Sequence, residues 1–310
     1  MRIAFTSDLH TDHHAANRAV WEAMVAHLHE LEPDVFICCG DVAADETRFG
    51  MTLMALEQVA CPKLLVPGNH DVWLQNPAWV QRGITSQHKY YRLLPALCRE
   101  AGVHPLWLTP YVLDDVAFCG SLGWYDYSLR NEVFDTQLSL PDYHRKRFQA
   151  QHCNDRQFAH WLAPATPERP ARRLSDAAVT THMVRELTQQ IQAVPAHVRQ
   201  VVGVTHMLPF RAMMQYRQEV QRDYFAAFMG STRLGETWRA CEKIALVLAG
   251  HTHRQMTVQL GALQAMTSPV GYRHQWEGKT PVTVARERLR CVELGTGEQD
   301  CLVPWSRPQD

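Results

Sequence analysis

Leu246-Val247-Leu248-Ala249-Gly250-His251-Thr252-His253 is a buried-strand pattern that stops abruptly in two imidazoles one residue apart. Four other apolar runs end in the same manner. Ile3-Ala4-Phe5-Thr6-Ser7 leads into Asp8-Leu9-His10, and Val35-Phe36-Ile37-Cys38-Cys39 leads into Gly40-Asp41. Leu64-Leu65-Val66-Pro67 runs into Gly68-Asn69-His70-Asp71, and Val201-Val202-Gly203-Val204-Thr205 delivers His206. Ligands in α/β sheets gather beyond the carboxyl ends of strands, so five such endings are expected to converge on one crevice.

The first seventy or so residues alternate strand and helix, a β-α-β-α-β unit. A strand to Ser7 is followed by a helical pattern over Ala15–Leu31, a strand from Asp34, a helix from about Thr47 to Val59 and a strand from Lys63. Pro33 and Pro62 stop the preceding helices without removing a central ladder donor. Short strands are expected at Leu106–Leu108, Tyr111–Leu113 and Val116–Gly120. From about Gly123 to Arg173 the chain is aromatic, basic and broken by prolines, and reads as an inserted, largely helical cap. Ser175 is placed to cap a helix from Asp176 to about Val194. A second irregular stretch, about residues 208–233, is expected to line the cleft, followed by a short helix over Leu234–Cys241. Strands are expected at Met256–Leu260, Leu263–Thr267 and Val282–Leu294. The whole chain, 1–310, reads as a single domain with these two insertions.

Composition narrows the partners. Of 310 residues 46% are hydrophobic, enough for a substantial core, and 31 Lys plus Arg balance 32 Asp plus Glu. No global field draws such a chain to double-stranded nucleic acid or to a membrane. The nine cysteines show no CxxC spacing and form no disulfide framework, which suggests a reducing compartment. Met1-Arg2 opens directly into a strand, and no apolar run reaches the roughly 18 residues of a membrane span. A cytoplasmic location is therefore expected.

Asp8, His10, Asp41, Asn69, His206, His251 and His253 together offer carboxylate, amide oxygen and imidazole donors from several directions, the set a dinuclear metal site requires. No thiolate takes part. Mixed imidazole and carboxylate ligation favours manganese, iron, zinc or nickel over calcium or a structural zinc knot.

The blocks Asp8-Leu9-His10, Gly40-Asp41, Gly68-Asn69-His70-Asp71, Thr205-His206 and Gly250-His251-Thr252-His253 resemble, in order and spacing, those of the calcineurin-like metallophosphoesterases. That resemblance spans residues 8–253 and implies a four-layer α/β/β/α sandwich with two transition-metal ions between the sheets. It implies Asp8, His10 and His253 at one metal, Asn69, His206 and His251 at the other, and Asp41 bridging them. It also implies that a hydroxide held between the metals attacks phosphorus in line while His70, the catalytic acid, serves the leaving oxygen. Two positions depart from the phosphoprotein phosphatases of that superfamily. Ala44 stands where an acidic residue orients the catalytic histidine, and Glu46 where an arginine follows, so either Asp45 or Asp71 substitutes as the partner of His70 or His70 acts without a carboxylate partner.

The departure at Ala44 and the size of the cap favour a phosphodiester or another small phosphoester as substrate over phosphoprotein. Two alternatives carry their own signatures. A single-strand nuclease or nucleotide phosphodiesterase would stack bases on cap aromatics such as Trp124, Tyr125 and Tyr127. A non-catalytic scaffold would keep the fold without turnover. The oligomeric state is left open.

Overall fold

The computed structural model describes residues 1–163 and 171–295, together with the backbone of a short strand at Val303–Pro304. Two six-stranded sheets form its middle. The first runs, edge to edge, Val303–Pro304, Arg290–Glu293, Arg2–Thr6, Val35–Cys38, Lys63–Leu65 and His104–Pro105. The second runs Met256–Leu260, Leu263–Thr267, Ile244–Ala249, Gln200–Thr205, Val116–Ser121 and Tyr111–Leu113. Helices Ala15–Leu31 and Pro281–Arg288 pack on each other, as do Glu46–Met54 and Leu94–Glu100, while Asp176–Gln192 packs on the strand Val116–Ser121 and on the helix Thr232–Arg239. The result is the α/β/β/α sandwich.

Parallel pairing sets the position of the site. Ile3 pairs with Val35 and Thr6 with Cys38, and Cys38 in turn with Leu65, so three chains leave the first sheet at one end. In the second sheet Thr205 pairs with Ser121 and Val204 with Leu248, so His206 and His251 leave at the corresponding end. The ends are laced together across the sandwich. Ser7 N–H donates to Ser268 O at 3.1 Å, Val270 N–H to Ser7 O at 2.9 Å and Gly271 N–H to Asp8 O at 3.0 Å.

Strong local signals correspond to observed elements. His14 caps Ala15–Leu31 by accepting from Ala16 N–H, and Ser175 caps Asp176–Gln192 by accepting from Ala178 N–H. The stretch expected as a strand over Val282–Leu294 is different. Thr280 accepts from Thr283 N–H and Pro281 occupies the first turn, so the chain forms a helix to Arg288 before the strand Arg290–Glu293. That strand crosses back to pair antiparallel with Arg2–Thr6 instead of extending the second sheet. Likewise, the strand expected at Leu106–Leu108 is the shorter His104–Pro105.

Within the insertion, short helices at Leu140–His144 and Asp155–Phe158 alternate with two-stranded ribbons, Arg147–Phe148 with Gln151–His152 and Leu162–Ala163 with Arg172–Arg173. Trp124, Tyr125 and Tyr127 lie under it as core, Trp124 and Tyr125 fully enclosed, so they present no open stacking faces. The eight described cysteines are free thiols. Among the described residues no helix is long and apolar enough to cross a membrane.

Candidate metal centre

All eight side chains singled out in the sequence meet in one buried cluster. Its focus is Asp41 Oδ2, which lies 3.4 Å from His206 Nε2, 3.8 Å from His10 Nε2 and 3.9 Å from His70 Nε2. On one side Asp8 Oδ1 is 3.3 Å from His253 Nε2, which faces His10 Nε2 at 3.0 Å. On the other, His206 Nε2 is 3.1 Å from Asn69 Oδ1, and the His206 and His251 rings meet edge-on at 5.1 Å.

The backbone is bent to achieve this. Asp8 (φ 54), His10 (φ 45), Asp41 (φ 56), His251 (φ 67) and His253 (φ 50) all occupy the left-handed region that non-glycine residues avoid. Each such residue costs on the order of 1–3 kcal/mol, and they persist at sites the surrounding fold over-determines. Close approach of the loops requires glycine. A Cβ on Gly68 would stand 2.0 Å from Asp41 Oδ1, and one on Gly40 2.6 Å from Gly68 N.

Hydrogen bonds behind the cluster decide which atoms face inward. His206 Nδ1 is 2.8 Å from the carbonyl of Cys39, a pure acceptor, so one ring proton sits there and Nε2 is the nitrogen turned inward. Gln275 Oε1 accepts from Tyr272 N–H at 2.8 Å and, at 3.0 Å, from His253 Nδ1, which leaves the second nitrogen of His253 facing Asp8 and His10. Asn69 donates its Nδ2 to Asp155 Oδ1 at 3.0 Å, which turns Asn69 Oδ1 toward His206. Two sets of acceptor atoms therefore crowd together: Asp8 Oδ1, His10 Nε2 and His253 Nε2, and Asp41 Oδ2, His206 Nε2 and Asn69 Oδ1. Only protons or cations relieve such crowding. These oxygen and imidazole donors fit a pair of transition-metal ions.

Electrostatics point the same way. Burial pushes the Asp8 carboxyl up, but the bonded His253 and nearby His206 bring it down to about 2. Burial also opposes ionisation of Asp41, yet His206 and His70 hold it well below the ordinary range. Burial lowers His10 to about 3, and burial together with His206 lowers His251 to about 4, so both rings are neutral near pH 7. Burial would also lower His206, but Asp41 and Asp8 outweigh it and raise the ring to about 9, so near pH 7 its inner nitrogen carries a proton that a bound cation would displace. Neutral imidazoles beside ionised carboxylates are the protonation states a divalent cation selects.

Among the described residues no carboxylate is hydrogen-bonded to the His70 ring. Asp45 caps its own helix by accepting from Arg48 N–H, and Asp71 is occupied by the backbone amides of Asp41, Ala43 and Gly68. Burial and Asp41 push Asp71 up to about 7 against those three donors. The His70 ring instead stacks on Trp73 at 3.6 Å and meets His10 edge-on at 4.7 Å. Its side chain keeps 19% of its surface open, enough to be reached from solvent.

Tyr272, stacked on His10 at 4.6 Å, Gln275, Trp73 and Asp155 were not legible as site residues. None lies at a strand end. The one sequence signal is the position of Trp73 three residues after His70, where Trp73 N–H donates to His70 O in a turn.

Two sheets delivering carboxylate and imidazole donors from their strand ends to a shared crevice define the metallophosphoesterase fold. Residues 1–182 match the family model for calcineurin-like phosphoesterases, and the chain belongs to that family. Among solved structures it resembles a phosphopantetheinyl hydrolase from Mycobacterium tuberculosis, with a TM-score of 0.71 at 20% identity over 96% of this chain and 97% of that one. A dimetal phosphatase from Danio rerio aligns with a TM-score of 0.49 at 11% identity, over 95% of this chain and 92% of that one. No curated protein matches in sequence.

Proposed function

We propose that this chain is a dinuclear metal-dependent phosphoesterase that hydrolyses phosphodiesters or other small phosphoesters. The observation that carries the reading is the convergence of six oxygen and nitrogen donors on either side of Asp41 Oδ2. Asp8, His10 and His253 would hold one cation and Asn69, His206 and His251 the other, with Asp41 shared. When bound, the two ions supply Lewis acidity and a water nucleophile at neutral pH.

The remaining work belongs to the chain. Asp41 and Asp8 would balance the positive charge, and the Cys39 carbonyl and Gln275 keep the imidazoles turned inward. His70, beside the donors and partly exposed, would donate a proton to the leaving oxygen. Trp73 beneath it limits the ring to one plane.

Enclosure of Trp124 and Tyr125 removes the aromatic platform that a single-strand nuclease would use, and so supports small esters. The Mycobacterium tuberculosis neighbour is named for phosphopantetheinyl hydrolysis, which makes a phosphopantetheinyl ester worth including among the substrates tried. The test combines elemental analysis with turnover of bis-p-nitrophenyl phosphate, p-nitrophenyl phosphate, a phosphopantetheinyl ester and a single-stranded oligonucleotide. Two ions per chain, lost together with turnover in Asp41→Asn, are expected. At most one ion in fully reconstituted protein would end the dinuclear reading, and oligonucleotide cleavage far above that of the small esters would end the substrate reading.

A further inference from the structure

Among the described residues, Asp155 carries a carboxylate from the insertion to the centre. Asp155, on the short helix Asp155–Phe158, is only 2% exposed. Its Oδ1 accepts two hydrogen bonds at once, from Asn69 Nδ2 at 3.0 Å and from Trp73 Nε1 at 2.7 Å. The two donors flank the two halves of the chemistry. Asn69 is the amide whose oxygen faces His206, and Trp73 is the ring on which His70 stacks at 3.6 Å. The backbone supports the contact, because Leu74 N–H donates to Phe158 O at 2.9 Å and so holds the end of that helix against the chain just beyond Trp73.

An asparagine ligand has a problem that a carboxylate does not. Its two ends are similar in size and opposite in polarity, and only the oxygen serves a cation. An acceptor behind the NH2 group settles the orientation, much as a second hydrogen bond settles the tautomer of a metal-binding imidazole. Here that acceptor comes from the inserted segment, 86 residues along the chain. The same oxygen fixes the plane of the indole and, through it, the ring of His70, to which no carboxylate among the described residues is hydrogen-bonded.

We infer that Asp155 is a positioning residue through which the insertion sets both the Asn69 ligand and the Trp73–His70 stack. This inference rests on the two-metal reading proposed above. Its physical content is an acceptor at one point, not a charge. Asp155→Asn, which keeps an oxygen able to serve both donors, should preserve function, while Asp155→Leu, similar in bulk and without an acceptor, should not.

The test titrates metal-free full-length protein with Mn2+ by calorimetry and measures kcat and KM on bis-p-nitrophenyl phosphate at saturating Mn2+. In Asp155→Leu one of the two Mn2+ equivalents is expected to weaken by about 10- to 100-fold while the other stays as in the native chain. The kcat should fall by a similar factor with KM within about twofold, the pattern of lost positioning instead of lost substrate binding. Asp155→Asn should stay within about threefold of the native chain in both measurements. Should the leucine variant fail to melt cooperatively, Asp155→Ala removes the acceptor without adding bulk and takes its place.

Native-like Mn2+ binding and kcat in the leucine or alanine variant would overturn the role of Asp155. So would an asparagine variant as impaired as the leucine one, since charge would then be what matters. A native chain that takes up no Mn2+ is a different result. It would remove the metal reading itself.

Discussion

Replacing Gly68 by alanine tests how tightly the crossing of two loops holds Asp41. The added Cβ would stand 2.0 Å from Asp41 Oδ1, 2.5 Å from Asp41 N and 2.7 Å from Asp41 Cγ, against a limit near 3.0 Å that real contacts respect. Relief needs a displacement of about 1 Å, and two of the three atoms belong to a side chain hemmed in on every side. Asp41 Oδ1 accepts from His70 N–H at 2.9 Å, and Gly68 N–H donates to Asp71 Oδ2 at 2.7 Å, so motion strains both bonds. Overpacking of this kind costs about 1–3 kcal/mol, and each weakened buried hydrogen bond adds roughly 1 kcal/mol. A total near 3 kcal/mol corresponds to a fall in melting temperature of roughly 5 °C in a chain of 310 residues. Turnover should drop more steeply, by about 100-fold, because a shift of 1 Å in a catalytic group has that effect.

The control is Gly50→Ala. Gly50 lies within the helix Glu46–Met54, and its nearest new contact would be Leu97 Cδ2 at 3.4 Å. That variant should be neutral or more stable by about 0.5–1 kcal/mol. Both proteins are compared by urea and thermal melts in chelator, then by turnover with Mn2+. A Gly68→Ala protein within twofold of the native rate, melting with it, would show that the loop crossing does not hold Asp41.

His70→Ala is expected to leave metal content unchanged by elemental analysis and to slow turnover most for esters with poor leaving groups; equal slowing across leaving groups would remove its acid role. Gln275→Leu withdraws the acceptor behind His253 Nδ1 and should weaken one Mn2+ equivalent by about tenfold in calorimetry, with the other untouched. The metal-free fold should be most stable near pH 6.5. Asp8, held at about 2 against an ordinary 3.8, contributes stability that is complete above about pH 4 and lost as pH falls through 2. His10, lowered to about 3, takes up its proton far more readily unfolded than folded, so stability already declines as pH falls below 6.5. His206, raised to about 9, contributes stability that is complete below 6.5 and lost as pH rises through 9. Melting curves in chelator should therefore peak between these limits, and saturating Mn2+ should flatten the alkaline arm; a flat metal-free profile would contradict the pairing.

Much of this was readable in the chain because its strongest signals are local. The helix Ala15–Leu31 and the strands Met256–Leu260 and Leu263–Thr267 have the bounds their periodicity implies, since periodicity and caps lie within each segment. The donors were legible for a related reason, as each ends a strand. Pro281–Arg288 was misread because Val282 and Val284 alternate like a strand, whereas the Thr280 cap and Pro281 start a helix that packs on Ala15–Leu31. Asp155, Trp73, Gln275 and Tyr272 owe their places to contacts between distant segments. No spacing in the chain announces an indole under an imidazole or a carboxylate behind an amide.

The lacing between the sheets also governs when the centre comes into being. His10 and His253 touch across 243 residues, and both oxygens of Asp8 receive the amide of His251 across the same interval. Neither sheet owns a complete half-site, since each proposed triad draws on both. Under the proposed ligation, neither ion would have its full set of donors until strand ends from both sheets had come together, and an ion bound there would clasp one sheet to the other.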